Sequence, residues 1–260
     1  MSYYHDMENN HLKATAAIIS KVILYLVLAL GSPGFVFSQE EKSQAILQDF
    51  KNILSFDRQY RVTCEMATFI PGQKPSIKKY TLFNMNDKTL LIFLKPERDY
   101  GKKILMIKDQ LWQYFPKIQK TIVINSSMLI GGSVNLTDIV SSSLFQFYKF
   151  SEYSYEEKTG NHILTFTAAG KTSPYGKVKY FYSGEKINHF EAYARSGILL
   201  KKIFFLKYET NELNQNYPVQ IKIVNALQEN DYSLIQMSSF EPLKVPDFYF
   251  NPSAMNKAGD

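Results

Sequence analysis

From Tyr60 to Met237 the chain is written in short runs of period two, and that rhythm excludes most folds otherwise open to it. Tyr60, Val62, Cys64 and Met66 alternate with Arg61, Thr63, Glu65 and Ala67, the pattern of a strand with one covered face. Further runs over 77–84, 89–94, 103–107, 111–115, 121–125, 147–155, 162–167, 178–182, 189–195, 199–206, 217–224 and 232–237 repeat it. Pro71-Gly72, Asn86-Asp87, Asp109-Gln110, Ser183-Gly184-Glu185 and Ser196-Gly197 separate them as turn chemistry requires. Many short strands without intervening long helices predict a mainly β chain, one antiparallel sheet curling toward a sandwich or barrel. The proline-rich stretch 240–252 does not read as a central strand.

The N-terminus is laid out differently. Lys13 and Lys21 precede an apolar run from Val22 to Leu30, which ends at Gly31-Ser32-Pro33-Gly34. This is the order of a secretory signal peptide, with cleavage predicted after Ser38. The competing reading, an uncleaved anchor, needs about 20 apolar residues. The expected division is 1–38 signal peptide and 39–260 mature domain. No cysteine follows the run to accept a lipid anchor, and the single cysteine, Cys64, cannot close an intramolecular disulfide. Beyond the leader, Ile46, Phe50, Ile53 and Leu54 recur on one helical face behind Glu40 and Glu41.

The leader carries Lys13 and Lys21 against Asp6 and Glu8, so its removal leaves the formal charge at +6. The lysines are scattered through the strands rather than clustered, which speaks first for a solvated outer face, second for an anionic membrane surface, and against nucleic acid as partner. One interruption breaks the β rhythm. Between Ser126 and Gln146 lie Met128, Leu129 and Ile130, then Gly131-Gly132-Ser133, then Leu136, Ile139, Val140 and Leu144 on one helical face. Asn135 or Thr137 would cap this helix. Asp138 is its one charge, so the segment is expected to lie over or inside the sheet. Apolar side chains also fall on both faces of the strands near Leu90–Leu94, Tyr180–Tyr182 and Ile203–Leu206. Either a second protein layer or an apolar ligand would satisfy them.

Catalytic and metal patterns are missing from the sequence. His162 and His189 fall on separate strands without ligand spacing. The run Ser141-Ser142-Ser143 lacks a nucleophile elbow, and Gly131-Gly132 lacks the lysine of a phosphate loop, which leaves it as a flexible turn. No catalytic residue, metal or cofactor is expected.

The order of these features resembles the LolA/LolB-like family, the bacterial outer-membrane lipoprotein-sorting proteins. The resemblance rests on the leader and first helix, Phe93-Leu94-Lys95-Pro96, Leu111-Trp112-Gln113-Tyr114-Phe115-Pro116, the apolar insert Met128 to Leu144, and Phe248-Tyr249-Phe250-Asn251-Pro252. It implies a single curved antiparallel sheet forming a half-open barrel, with short helices covering an apolar concave face. It implies a periplasmic carrier or chaperone for lipoproteins or other acylated lipids. The implied partners are an inner-membrane exporter and an outer-membrane acceptor. A non-carrying envelope sensor or structural module of the same fold is the alternative. The implied cavity and lid residues are Met128, Leu129, Ile130, Ile139, Leu144, Trp112 and Tyr114. One departure stands out: where carrier members latch the lid with an arginine before the proline, this chain has Lys95, which lacks a planar fork of donors.

Overall fold

The computed structural model describes residues 39–54, 59–140, 144–210 and 216–258. The expected leader 1–38 and the serine run 141–143 lie outside the described residues. The chain divides into two compact units, Met1–Ile46 and Leu47–Asp260. Of the first, the described part is the opening of helix α1 (Gln39–Leu54). All that follows concerns the second.

Strands β1 (Tyr60–Phe69), β2 (Ser76–Met85), β3 (Lys88–Lys95), β4 (Lys103–Ile107), β5 (Gln110–Phe115) and β6 (Lys120–Ile124) run as an antiparallel meander. A small hairpin of β7 (Leu129–Gly131) and β8 (Val134–Asn135) follows, then helix α2 (Leu144–Phe147). A second meander comprises β9 (Tyr148–Glu156), β10 (Asn161–Ala168), β11 (Lys177–Ser183), β12 (Lys186–Tyr193), β13 (Leu199–Thr210), β14 (Asn216–Asn225) and β15 (Tyr232–Pro242). The strand expectations hold throughout, because each run carries its own alternation and its own turn.

Pairing of β1 with β15 joins the meanders into one 13-stranded antiparallel sheet, with β6 at one end and β9 at the other. The sheet is curved and not closed. The insert lies against one face of this sheet. Its Gly131 and Gly132 approach Met66 and Thr68 of β1, and the Ile130 carbonyl accepts from Lys78 of β2. It shares that inner face with the end of α1, whose Phe50 packs 5.2–5.9 Å, centroid to centroid, from Phe166, Tyr180 and Tyr182.

Register then assigns every side chain. Leu82 pairs with Leu91, which pairs with Ile104, which pairs with Gln113, all on the inner face. Phe83, Leu90, Leu105 and Trp112 form the next row and point outward. Over β2–β5 the outer face is also dry. Val245, Phe250, Met255 and Ala258 of the C-terminal segment cover Phe83, Leu90, Ile92, Leu105 and Tyr114. Against the expectation for the proline-rich stretch, Phe240–Pro242 complete β15 by pairing with β1, at an end where β14 no longer pairs and proline is tolerated. Beyond it the chain forms 3-10 turns at Asp247–Phe250 and Pro252–Ala254. Buried Lys103 donates to the Met255 carbonyl at 2.8 Å and to that of Ala258, with its ammonium 5.5 Å from the Tyr114 ring centre. In this half of the sheet, apolar residues on both faces reflect two protein layers.

The insert differs from the single helix its period suggests. Its middle is the β7–β8 hairpin followed by a 3-10 turn, Leu136–Asp138, and the described α-helix is only α2. Asn135 is the cap: its Oδ1 accepts from the Asp138 amide at 3.1 Å, and the Asp138 carboxylate accepts from the Asn135 amide at 2.9 Å. That reciprocal box satisfies the local backbone without a longer helix.

Candidate ligand cavity and its cover

A cavity of about 70 Å³ opens on the inner face between the end of α1, the insert and strands from both meanders. Val62, Leu82, Ile187 and Met237 supply aliphatic wall, and Thr137–Val140 of the insert supply one side. Most of the rest is aromatic: Tyr60, Tyr180, Phe190, Phe205, Tyr208, Tyr217 and Phe240. Three of these stack in sequence across β1, β15 and β14, with Tyr60 4.8 Å from Phe240 and Phe240 4.6 Å from Tyr217. Burial drives the phenols of Tyr60, Tyr180 and Tyr208 above their ordinary range, so they remain neutral. Tyr208 donates to the Ile187 carbonyl at 2.8 Å, leaving its ring as apolar wall.

The one charged residue in the lining is Asp138, and its charge is used up within the protein. Oδ2 accepts from Lys201 Nζ at 2.7 Å and Oδ1 accepts from the Tyr175 hydroxyl at 2.6 Å. Asn135 Nδ2 donates to the same Tyr175 oxygen at 2.9 Å. The Asp138 side chain is fully buried and that of Lys201 is 9 % exposed. A buried pair of this kind holds position strongly, because removing one partner strands the other charge. The network ties the insert to β13.

A second anchor lies nearer β2. Lys78 Nζ donates to the Ile130 carbonyl at 2.8 Å and sits 3.3 Å from Asp99, which Lys102 also contacts at 2.6 Å. Burial alone would raise the Asp99 carboxyl, but Lys102 and Lys78 outweigh it and hold the group below its ordinary value. Between the anchors the hairpin turn presses against β1. A Cβ at Gly131 would run into Met66 Cε, and one at Gly132, where φ is +51°, would come within 2.5 Å of Thr68 Cγ2. These glycines, read from sequence as a flexible turn, allow close approach of backbone to sheet. Lys95 is exposed. The insert is fastened instead by Lys78 and Lys201.

The seven expected site residues separate into three groups. Ile139 lines the cavity. Ile130 and Leu144 are buried at 2 % exposure, whereas Met128 is half-buried and Leu129 is 53 % exposed. Trp112 and Tyr114 sit on the outer face, in the cluster under the C-terminal segment. Their neighbour Gln113 is the one that points inward, since a shift of one residue along a strand changes face. Of the aromatic wall of β11–β15, the sequence marks only the neighbourhoods Tyr180–Tyr182 and Ile203–Leu206. Phe205 and Tyr208 lie three apart, out of strand period, and both reach the cavity because bulges shift the register between them. His162 faces inward beside Tyr153, whose hydroxyl lies 3.1 Å from Nδ1, while His189 is on the outer face between Phe181 and Phe204. The two histidines therefore cannot share an ion.

A family model described only as "Uncharacterized protein" matches residues 85–257. The chain belongs to that family. No curated protein matches it. Among solved structures, a LolA superfamily protein of Nitrosomonas europaea superposes with a TM-score of 0.70 at 22% identity, over 80% of this chain and 96% of that one. A domain named for outer membrane lipoprotein sorting, from Vibrio parahaemolyticus, follows at 0.68 and 18% identity, over 82% and 97%. A DUF1329 family protein of Desulfovibrio piger gives 0.66 and 16% identity, over 82% and 98%. These likenesses establish the fold: it is that of the LolA superfamily, as the resemblance in the sequence implies.

Proposed function

We propose that this protein is a periplasmic carrier that shields acyl chains of lipoproteins or lipids in the inner-face cavity, under the insert. The observation that carries the reading is a neutral, aromatic-walled cavity whose cover is a separate segment fastened at two polar points. Nothing in the cavity's lining offers a nucleophile with a base beside it, so the reading is one of binding rather than of catalysis.

Magnitudes decide how cargo enters. At about 70 Å³ the cavity falls well short of the roughly 300 Å³ at the low end of ligand pockets. A long chain therefore has to displace a wall, and the continuous hydrogen-bonded sheet is the harder wall to move. Burying about a dozen methylenes at about 0.8 kcal/mol each releases roughly 10 kcal/mol. Separating a buried ion pair costs less than the about 3–5 kcal/mol lost when one partner alone is removed, because both charges regain water. Cargo binding can thus drive the insert outward, and re-formation of the Asp138–Lys201 pair favours release to an acceptor.

The signal peptide, cleavage after Ser38, and the exporter and acceptor partners belong to the same proposal. Among the described residues no helix is long and apolar enough to cross a membrane. N-terminal sequencing of envelope-purified protein should read from Gln39. Mass spectrometry of an organic extract of that protein should show acyl lipid or lipoprotein in stoichiometric amount. Protein purified from its native envelope without any such cargo, and failing to take up a fluorescent fatty acid, would overturn the reading.

A further inference from the structure

The two ends of the sheet are treated differently. End strand β9 exposes Lys149, Glu152 and Glu156 along its length, charges that discourage another strand from pairing. End strand β6, Lys-Thr-Ile-Val-Ile, has β5 as its one neighbour in the sheet. Ile122 is 48 % exposed and Val123 71 %. They point to opposite faces, since Ile122 pairs with Gln113 and Val123 with Trp112. An open edge of backbone donors and acceptors, flanked by exposed β-branched side chains, is a template for one more strand.

Charge at the two ends of β6 indicates which strand. Lys120 opens it and is exposed. Its far end, at Ile124 and Ser126, borders a cleft that Asp109 and Thr172 also line. A strand complementary to β6 therefore has an apolar centre, a cation facing the cleft and room for a cation at its other end. Antiparallel β6 meets that description itself. A two-fold axis through an antiparallel pair must pass through a residue facing its own copy, which here is Ile122 or Val123. In the first register Lys120 falls opposite Ile124, in the second opposite Ser126. Either one carries the lysine of each copy toward the cleft of the other, whose single acid, Asp109, already accepts from Thr172 Oγ1 at 3.3 Å, and neither sets lysine against lysine. We infer that β6 is a homodimer interface, at which a second copy of this chain extends the sheet.

The contact is isologous and closes on itself, while the charged β9 edge prevents propagation into fibres. Its short strand makes it a concentration-dependent contact rather than a permanent one.

Sedimentation velocity of the purified full chain over a concentration series should show the mass doubling. Val123→Lys should lose the dimer, as should Lys120→Asp and Asp109→Lys singly, while the charge-swapped Lys120→Asp/Asp109→Lys double variant should regain it. All three positions are exposed, and unchanged circular dichroism confirms folding. Ile122→Cys or Val123→Cys should give a spontaneous disulfide-linked dimer, and whichever does so reports the register. Native Cys64 does not compete, being fully buried with its thiol pushed up to about 12. A monomer at every concentration, a dimer indifferent to Val123→Lys, or a swap that fails to restore association would each overturn the inference.

Discussion

Asp138 and Lys201 show how one buried pair can organise a whole segment. The carboxylate would be an error on an apolar insert unless matched, and three donors match it: the Lys201 ammonium, the Tyr175 hydroxyl and the Asn135 backbone amide. Lys201→Met strands the charge and should cost about 3–5 kcal/mol in denaturant unfolding. Adding Asp138→Leu should return much of that, since a well-packed apolar pair replaces a desolvated one. A double variant as unstable as the single would mean the network is not coupled. On the outer face, burial holds the His189 imidazole below its usual 6.5, with Glu191 and Glu156 opposing and Lys202 assisting. A group whose folded value is depressed stabilises fully above its unfolded value, and that contribution is lost as pH falls through the folded one. Stability should therefore drop below about pH 6.5, and His189→Phe, which keeps the stack with Phe181 and Phe204, should flatten that drop. Equal slopes in the two proteins would contradict it.

At the scale of elements, cover and core respond differently. Ile139 faces the cavity from the insert, so Ile139→Glu should abolish uptake of a fluorescent fatty acid while shifting the thermal midpoint modestly. Leu144, 2 % exposed, is core, and Leu144→Glu should lower the midpoint sharply. Trp112→Ala should destabilise through the outer cluster and leave uptake intact. Loss of uptake in a folded Trp112 variant would move the site to the other face. These contrasts also mark what sequence could reveal. The strands were legible because alternation and turn residues are local. The insert departs from expectation because Leu136, Ile139, Val140 and Leu144 satisfy a helical period without fixing a helix, and the described chain makes only a 3-10 turn at Leu136–Asp138 before α2. Which face Trp112 occupies was not legible at all, since period two gives only relative parity and pairing with β4 decides the rest. Both anchors escaped notice too, because Lys78 and Lys201 meet the insert across 52 and 63 residues of sequence.

For the molecule as a whole, two meanders joined at β1–β15 leave β6 and β9 as ends, and Thr137–Val140 of the chain that follows β6 line the inner-face cavity. The C-terminal segment seals the outer face over β2–β5. Under the proposed function, acyl chains enter the inner-face cavity beneath the insert. A fatty acid bearing a photoreactive diazirine, bound and irradiated, followed by peptide mass spectrometry, tests it directly. Label on Ile139, Phe190 and Met237 is the predicted result, and label confined to the outer cluster around Trp112 and Tyr249 would contradict it.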